Sequence, residues 1–155
     1  MKICFVCHAN ICRSFLAQEF FKKIVSDSRI KGIDVISRGI FAFEDCQMPQ
    51  KNIDFLKKHG IEYKKHTAKL ISREDILKSD LILAMTSKQL ETLIDKYPEF
   101  SDKIHLFLDF AQNENKDMQD PINKNGRKFE EIGSKIKTAV LNIAKKLNLI
   151  DLSKN

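Results

Sequence analysis

The sequence predicts an α/β fold: a single-domain, three-layer sandwich in which a central four-stranded parallel sheet lies between two layers of helices. Short, continuous apolar runs, typical of strands buried on both faces, alternate along the chain with amphipathic helical patterns. No internal repeat or Pro/Gly-rich linker divides the 155 residues, which fit one domain. In such a sheet the crossovers are right-handed, and ligands bind where strands end and helices begin.

The individual elements are expected in a regular order. The apolar run Ile3–Cys7 predicts a buried strand, and a helix with one apolar face follows over about residues 14–26. Pro49 fits the first turn of a second helix that Gly60 ends, and Ser72 resembles the N-cap of a third helix. The other expected elements are strands at Ile33–Ser37, Asp80–Met85 and Ile104–Leu108, helices over about 87–97 and 128–147, and a long polar loop over 109–126.

Composition and charge exclude several classes of protein. The chain is 43% hydrophobic and 31% charged, which indicates a globular domain rather than a disordered one. No apolar run reaches the roughly 20 residues that span a bilayer, and the apolar start is too short for a signal peptide. We therefore expect a cytoplasmic protein without a membrane partner, in a compartment where thiols stay reduced.

The net charge of +6 suits an anionic ligand, and it equally suits a solvated, lysine-rich surface. The lysines are scattered along the chain, and no basic stripe is interleaved with stacking aromatic side chains. We therefore expect no nucleic-acid partner.

The segment between the first strand and the first helix, residues 7–14 (CHANICRS), contains the candidate chemistry. Successive backbone N–H groups in such a loop, together with those that open a helix, form a cradle for a tetrahedral oxyanion. Arg13 adds a planar guanidinium that can hold two phosphate oxygens at once. The expected phosphate-binding residues are His8, Ala9, Asn10, Ile11, Cys12, Arg13 and Ser14.

Cys7 lies at the base of this cradle and is the candidate nucleophile. The positive field of a helix N-terminus and a nearby cation stabilises a thiolate over a thiol. Ser14 could donate a hydrogen bond to the sulfur and help it leave in a second step. Asn10 tolerates left-handed backbone angles, and its amide can brace a tight loop. The alternative for Cys7 is a buried thiol at a strand end, which is common for cysteine.

In this context the pattern C-x5-R-S resembles the low-molecular-weight protein tyrosine phosphatases, whose loop usually reads C-L-G-N-I-C-R-S-P. The resemblance covers nearly the whole chain. It implies one phosphatase domain over residues 1–150, a disordered tail over 151–155 and the strand order 2-1-3-4. Further segments in the order of the family are Ser37-Arg38-Gly39, Pro49, Gly60-Ile61, His66-Thr67-Ala68-Lys69, Asp80–Met85 and Asp120-Pro121.

The resemblance implies hydrolysis of phosphotyrosine in proteins, and of aryl phosphates, through a cysteinyl-phosphate on Cys7. Arg13 then binds the phosphate, and Asp120 is the general acid, with Asp117 as the alternative. No metal or cofactor is required, because the cradle and Arg13 already neutralise the phosphate. The residues that resemble the supporting hydrogen-bond network of the family are Asn10, Ser14, Ser37 and His66.

Cys12 has two interpretations. The resemblance supports a redox partner that forms a disulfide with Cys7 and protects it from irreversible oxidation. A small apolar side chain that fills the loop is the alternative.

Several positions depart from the family pattern. Ala9 replaces the usual Gly, Phe15 replaces the usual Pro, and His8 is unusual beside a nucleophile. Alanine at a position that needs positive φ would be strained. Thr86 stands where the family commonly has Asp, and Ile122 and Asn123 stand where an aromatic residue usually follows Asp120-Pro121. The substrate wall is therefore expected to consist of Phe41, Phe43 and Ile122.

The expected partners are a phosphotyrosine protein as substrate, inorganic phosphate as product and a tyrosine kinase, and we expect a monomer. Two alternatives to the phosphatase remain. An arsenate reductase uses the same fold and loop, with a thiol cascade for which Cys12 and Cys46 are the available relays. A non-catalytic module would bind the oxyanion without turning over a substrate.

Overall fold

The computed structural model describes residues 1–63 and 65–150. It confirms the predicted fold class, because a four-stranded parallel sheet has the order β2-β1-β3-β4 and helices cover both faces. The predicted tail at 151–155 lies outside the described residues. The strands are β1 (Lys2–Cys7), β2 (Asp34–Gly39), β3 (Leu81–Ala84) and β4 (Ile104–Leu106).

Two groups of helices pack on the two faces of the sheet. One face carries α1, α2, α5 and α6, and the other carries α3 and α4, as the membership of the two apolar cores shows. The helices are α1 (Arg13–Asp27), α2 (Gln50–Lys58), α3 (Arg73–Lys78), α4 (Ser87–Lys96), α5 (Phe107–Gln112) and α6 (Gly126–Lys146), with a 3-10 helix at Pro98–Lys103.

The central strand β1 explains why its sequence is apolar without alternation. Ile3, Phe5 and Cys7 belong to the core under α1 and α6, whereas Cys4 and Val6 belong to the core under α3 and α4. Successive side chains of a strand point to opposite faces, so a strand covered on both faces is buried at every position. Cys4 and Cys7, although three residues apart, consequently face opposite cores.

The predicted strand at Ile104–Leu108 and the predicted loop over 109–126 are partly wrong. The strand ends at Leu106, and α5 begins at Phe107. A short apolar run does not distinguish strand from helix by periodicity alone. Phe107, Leu108 and Ala111 bury one helical face, and Asn113 ends the helix with a left-handed φ of 56°.

The smaller differences concern element ends. β2 begins and ends later than predicted, and Pro49 is the N-cap of α2 rather than part of its first turn. The capping box at the start of α3 agrees with the predicted N-cap, since Ser72 and Asp75 exchange side-chain and backbone hydrogen bonds. Among residues 1–63 and 65–150, no helix is both long and apolar enough to cross a bilayer.

Candidate active site

The loop between β1 and α1 turns its carbonyl groups away from the cleft that it encloses. Five of these carbonyl oxygens accept hydrogen bonds from donors outside the cleft, at 2.7 to 3.0 Å. The N–H of a peptide group points opposite to its C=O, so the N–H groups of the same peptides face the interior. The loop therefore has the form of an oxyanion cradle. The pairs are Cys7 O with Ile40 N, His8 O with Phe41 N, Asn10 O with His66 Nε2, Ile11 O with Asn52 Nδ2 and Cys12 O with Leu16 N.

The single positive φ in this loop, 58°, falls at Asn10. Asparagine tolerates this conformation better than most residues. Ala9 lies outside the left-handed region, so the strain expected for alanine in place of glycine does not arise. The close approach in this region occurs instead at Gly39, where an added Cβ would lie 2.5 Å from His8 O and 3.0 Å from Asn10 N.

The side chain of Asn10 is fully buried and connects the predicted supporting residues. Its Nδ2 donates to Ser14 Oγ at 3.0 Å and to Ser37 Oγ at 2.8 Å, and its Oδ1 accepts from Lys69 N at 3.0 Å. The predicted set of Asn10, Ser14, Ser37 and His66 is thus brought together. These bonds join the loop to the end of β2 and to the segment after residue 65.

Cys7 and Ser14 are in direct contact inside the cradle. Cys7 Sγ lies 2.9 Å from Ser14 Oγ, and both residues are buried. Because a thiolate has no proton to give, the hydroxyl is the donor whenever Cys7 is ionised. Ser14 can therefore stabilise negative charge on the sulfur.

Arg13 is buried, with 5% of its surface exposed, and its guanidinium group donates to two acceptors. Its Nη1 donates to Met118 O at 3.0 Å, and its Nη2 donates to Asp120 Oδ2 at 2.7 Å. The backbone of Met118 in turn donates to Met85 O at the end of β3. Two segments that are more than 100 residues apart are thereby joined at the floor of one cleft.

Asp117, the alternative acid, binds the first residue of α4 instead of facing the cleft. Its Oδ1 accepts from Ser87 N at 2.7 Å and from Ser87 Oγ at 2.8 Å, at the start of α4. A carboxylate at a helix N-terminus compensates free N–H groups and the helix dipole. Thr86 is the N-cap of the same helix. Asp120 is therefore the carboxylate of this loop that reaches the cleft.

The cleft has a volume of about 180 Å³, and of the expected substrate wall Ile122 lines it directly. Phe41 stacks on His8 with ring centroids 5.5 Å apart, and Phe43 packs edge-on against Phe41 at 5.0 Å. Both phenylalanines are more than half exposed. The cleft is lined by Cys7, His8, Ala9, Ile11, Cys12, Arg13, Asp120 and Ile122.

Cys12 lines the same cleft as Cys7, and its thiol donates to Asn52 Oδ1 at 3.2 Å. Burial raises the pKa of the Cys12 thiol to about 12. All four cysteines are free thiols in the structure. Since the thiolate is the reactive form in thiol chemistry, Cys12 is a weak nucleophile near neutral pH, as a relay or as a redox partner. Within the described ranges, no three His, Cys, Asp or Glu side chains are grouped to hold a metal ion.

His66 packs against Phe15, the residue that replaces the usual proline, with ring centroids 4.2 Å apart. Its Nε2 lies 2.7 Å from Asn10 O, and a carbonyl oxygen only accepts, so this nitrogen carries the proton. Burial lowers the pKa of His66 below its usual 6.5, while the hydrogen bond to Asn10 opposes that shift.

Three contributors were not predicted from the sequence. Met118 and Lys69 act through backbone atoms, to which their residue types give no clue. Asn52 is fully buried in α2, where its Nδ2 donates to Ile11 O at 2.7 Å. The sequence shows only an asparagine beside the apolar face of a short predicted helix; its burial and its partner, 41 residues away, cannot be seen there.

Several known proteins are similar to this chain over most of its length. A protein-arginine-phosphatase from Geobacillus stearothermophilus is 28% identical over 94% of this chain and 95% of that protein. The low molecular weight protein-tyrosine-phosphatase PtpA from Staphylococcus haemolyticus is 27% identical over 91% of this chain and 90% of that protein. The crystal structure of a low molecular weight protein tyrosine phosphatase from T. tengcongensis has a TM-score of 0.88 and 30% identity, covering 94% of this chain and 99% of that one.

The model of one protein family, described as low molecular weight phosphotyrosine protein phosphatase, matches residues 2–150. Cysteine-dependent phosphate hydrolysis is general for that family. This chain therefore belongs to the low molecular weight phosphotyrosine protein phosphatase family.

Proposed function

We propose that the chain hydrolyses phosphotyrosine in proteins, with Cys7 as nucleophile, Arg13 as phosphate ligand and Asp120 as general acid. One observation carries this proposal. The Asp120 carboxylate lies 2.7 Å from the Arg13 guanidinium, in the cleft that Cys7 also lines. A nucleophile, a phosphate-binding cation and a proton donor thus share one concave site.

The first step forms the cysteinyl-phosphate. The N–H groups of the cradle and Arg13 bind the phosphate oxygens, and Cys7 Sγ attacks the phosphorus in line with the leaving oxygen. The P–O bond to the aryl group breaks, and Asp120 donates a proton to the departing phenolate. Substrate phosphate competes with Asp120 for Arg13 Nη2, which frees the carboxyl group to protonate the leaving group.

The second step releases inorganic phosphate. Asp120, now a carboxylate, accepts a proton from a water molecule that attacks the phosphorus. The P–S bond breaks, and Cys7 leaves as a thiolate. The Ser14 hydroxyl, 2.9 Å from the sulfur, donates a hydrogen bond to this thiolate and so stabilises the leaving group.

The lining of the cleft favours an aryl phosphate over phosphoarginine. Ala9, Ile11 and Ile122 present apolar surface, and the stacked rings of His8 and Phe41 lie beside them. A phenyl ring gains free energy by covering such surface. A guanidinium group needs hydrogen-bond acceptors, and Asp120 is the one carboxylate residue among the lining residues. The corresponding partner is a phosphotyrosine protein in the cytoplasm, which a tyrosine kinase phosphorylates. The chain acts on this protein as a monomer.

Phosphoarginine is the second candidate substrate, because the relative from G. stearothermophilus is a protein-arginine-phosphatase. The arsenate reductase alternative is less favourable. Its cascade needs a second reactive thiolate. The raised pKa of Cys12 keeps that thiol protonated near neutral pH, and the other available relay, Cys46, is not among the residues that line the cleft.

The test compares two peptides that carry phosphotyrosine or phosphoarginine at the same position, without added metal. We expect kcat/KM to be at least about 10-fold higher for phosphotyrosine, and a loss of about 10²–10⁴ in rate for Asp120→Ala. Cys7→Ser should abolish turnover of both peptides. A preference for phosphoarginine would show that the proposed substrate is wrong. Phosphate binding without turnover by the reduced wild-type protein would support the alternative of a non-catalytic binding module.

A further inference from the structure

Lys51, on the first turn of α2, binds the loop that follows Asp120. Its ammonium group donates to Pro121 O at 3.1 Å, to Lys124 O at 2.8 Å and, at close range, to Ile122 O. An ammonium group has three protons, so these three carbonyl groups use its full donor capacity. The Lys51 side chain also lies over the ring of Phe129, 5.3 Å from its centroid.

The segment that Lys51 binds also orients the Asp120 carboxylate. Ile122 N donates to Asp120 Oδ1 at 3.0 Å, and Lys124 N donates to Pro121 O at 3.0 Å within the same turn. The carbonyl groups of residues 121, 122 and 124 therefore accept from Lys51, while the N–H group of Ile122 holds the acid. No helix or strand includes this segment, so these contacts define its position.

We propose that Lys51 is a positioning residue that holds Asp120 in place to protonate the leaving group. This inference rests on the proposed role of Asp120 as general acid. Three carbonyl dipoles converge on one point, and a cation there stabilises them far better than a neutral side chain can. Without it the turn opens, and Asp120 loses the support of Ile122 N.

The neighbouring residue on α2 serves the other half of the site. Asn52 donates to Ile11 O and accepts from the Cys12 thiol, both in the phosphate-binding loop. Lys51 and Asn52 thus connect one helical turn to the acid loop and to the nucleophile loop. Loss of Lys51 should impair proton transfer and leave oxyanion binding intact, whereas loss of Asn52 should weaken oxyanion binding.

The experiment measures kcat/KM for two aryl phosphates that differ in the need for an acid. Phenyl phosphate has a poor leaving group, and 2,4-dinitrophenyl phosphate has one that departs without protonation. For Lys51→Met we expect a loss of about 10-fold or more with phenyl phosphate and about 2-fold or less with dinitrophenyl phosphate. Competitive inhibition by inorganic phosphate should stay unchanged. Lys57 is an exposed position on the same helix. Lys57→Met is the matched control and should leave kcat/KM unchanged for both substrates.

Asp120→Asn is measured in parallel to separate two kinds of failure. If Asp120→Asn lowers kcat/KM equally for both substrates, Asp120 is not the acid, and the proposed function and this inference are both overturned. If Asp120→Asn discriminates between the substrates but Lys51→Met does not, only the role of Lys51 is overturned. Should Lys51→Met fail to fold by circular dichroism, Lys51→Arg retains the cation. It should show a smaller but still selective loss with phenyl phosphate, and an equal loss with both substrates would overturn the inference.

Discussion

Arg13 donates to two acceptors that differ in how easily they can be replaced. Met118 O is a buried backbone atom, whereas the Asp120 side chain is 45% exposed. A substrate dianion brings more negative charge than one carboxylate, so it displaces Asp120 from Nη2 while Met118 keeps the guanidinium oriented. In the proposed mechanism, the same ion pair thus pre-orients Arg13, the phosphate ligand, and places Asp120, the acid, beside the bound phosphate.

Ser14→Ala removes the hydroxyl that lies 2.9 Å from Cys7 Sγ. A hydrogen bond to a charged group contributes about 1.5–3 kcal/mol, so we expect kcat to fall about 10- to 100-fold as the thiolate becomes a poorer leaving group. Stopped-flow release of nitrophenolate should show a larger burst, because the phosphoenzyme accumulates. Ser37→Ala is the control, since Ser37 shares the Asn10 contact but is not bonded to the sulfur. Equal losses in both variants would mean that Ser14 acts only through Asn10.

The depressed pKa of His66 makes stability depend on pH. Burial lowers this pKa in the folded state below 6.5, the usual value that the unfolded chain retains. As the pH falls below about 6.5, the unfolded chain therefore binds the proton more readily, and the free energy of unfolding decreases until the pH has passed the folded pKa.

His66→Gln keeps a donor for Asn10 O but does not titrate. The decrease in unfolding midpoint between about pH 7.5 and about pH 5.5 should therefore be smaller for the variant than for the wild type. Urea unfolding at the two pH values measures this difference. Identical decreases in the two proteins would show that other groups cause the acid sensitivity.

At the scale of elements, the end of β2 and the loop after β1 are packed without space for an additional methyl group. A Cβ at Gly39 would lie 2.5 Å from His8 O, a backbone atom that cannot rotate away. Gly133 in α6 has an equally close neighbour, Phe55 Cζ, but an aromatic ring can shift. Substitutions at these two glycines therefore distinguish an effect on the active site from an effect on helix packing.

Gly39→Ala should destabilise the protein by roughly 1–3 kcal/mol and weaken inhibition by phosphate, because the loop must move away from β2. Gly133→Ala should destabilise the contact between α2 and α6 without changing the inhibition constant. Urea unfolding and phosphate inhibition measure the two effects. A Gly39→Ala protein with unaltered phosphate inhibition would contradict a role of this contact in shaping the cradle.

The sequence predicts the elements whose pattern is local, and it predicts less well those that depend on tertiary contacts. The strand that ends at Cys7 has an uninterrupted apolar run, and the final helix has a long, regular apolar stripe, so their positions agree with the structure. α5 has six residues, and its apolar start resembles a strand. The roles of Lys51 and Asn52 depend on partners 40 to 73 residues away, which no local pattern encodes. The cradle itself was predictable because its residues are contiguous.

At the scale of the whole molecule, the site joins parts of the chain that the sheet brings to one edge. The loop after β1 supplies Cys7 and Arg13, the end of β2 supplies Ser37, and the segment after β4 and α5 supplies Asp120. Parallel strands place their carboxyl ends at the same edge, where loops from distant parts of the sequence meet. Binding an anion at this edge therefore stabilises contacts that exist only in the folded chain.

Inorganic phosphate should consequently raise the thermal unfolding midpoint. A ligand at 100 times its Kd that binds only the folded state adds about 2.7 kcal/mol to the free energy of unfolding. Arg13→Met should lose most of this stabilisation, because the cleft then lacks its cation, whereas chloride at matched ionic strength should have little effect on either protein. Calorimetry across a phosphate series measures the shift. If Arg13→Met showed the wild-type shift, phosphate would be binding elsewhere, and the basic groove lined by Lys22, Lys65 and Lys69 behind the loop would be the first place to examine.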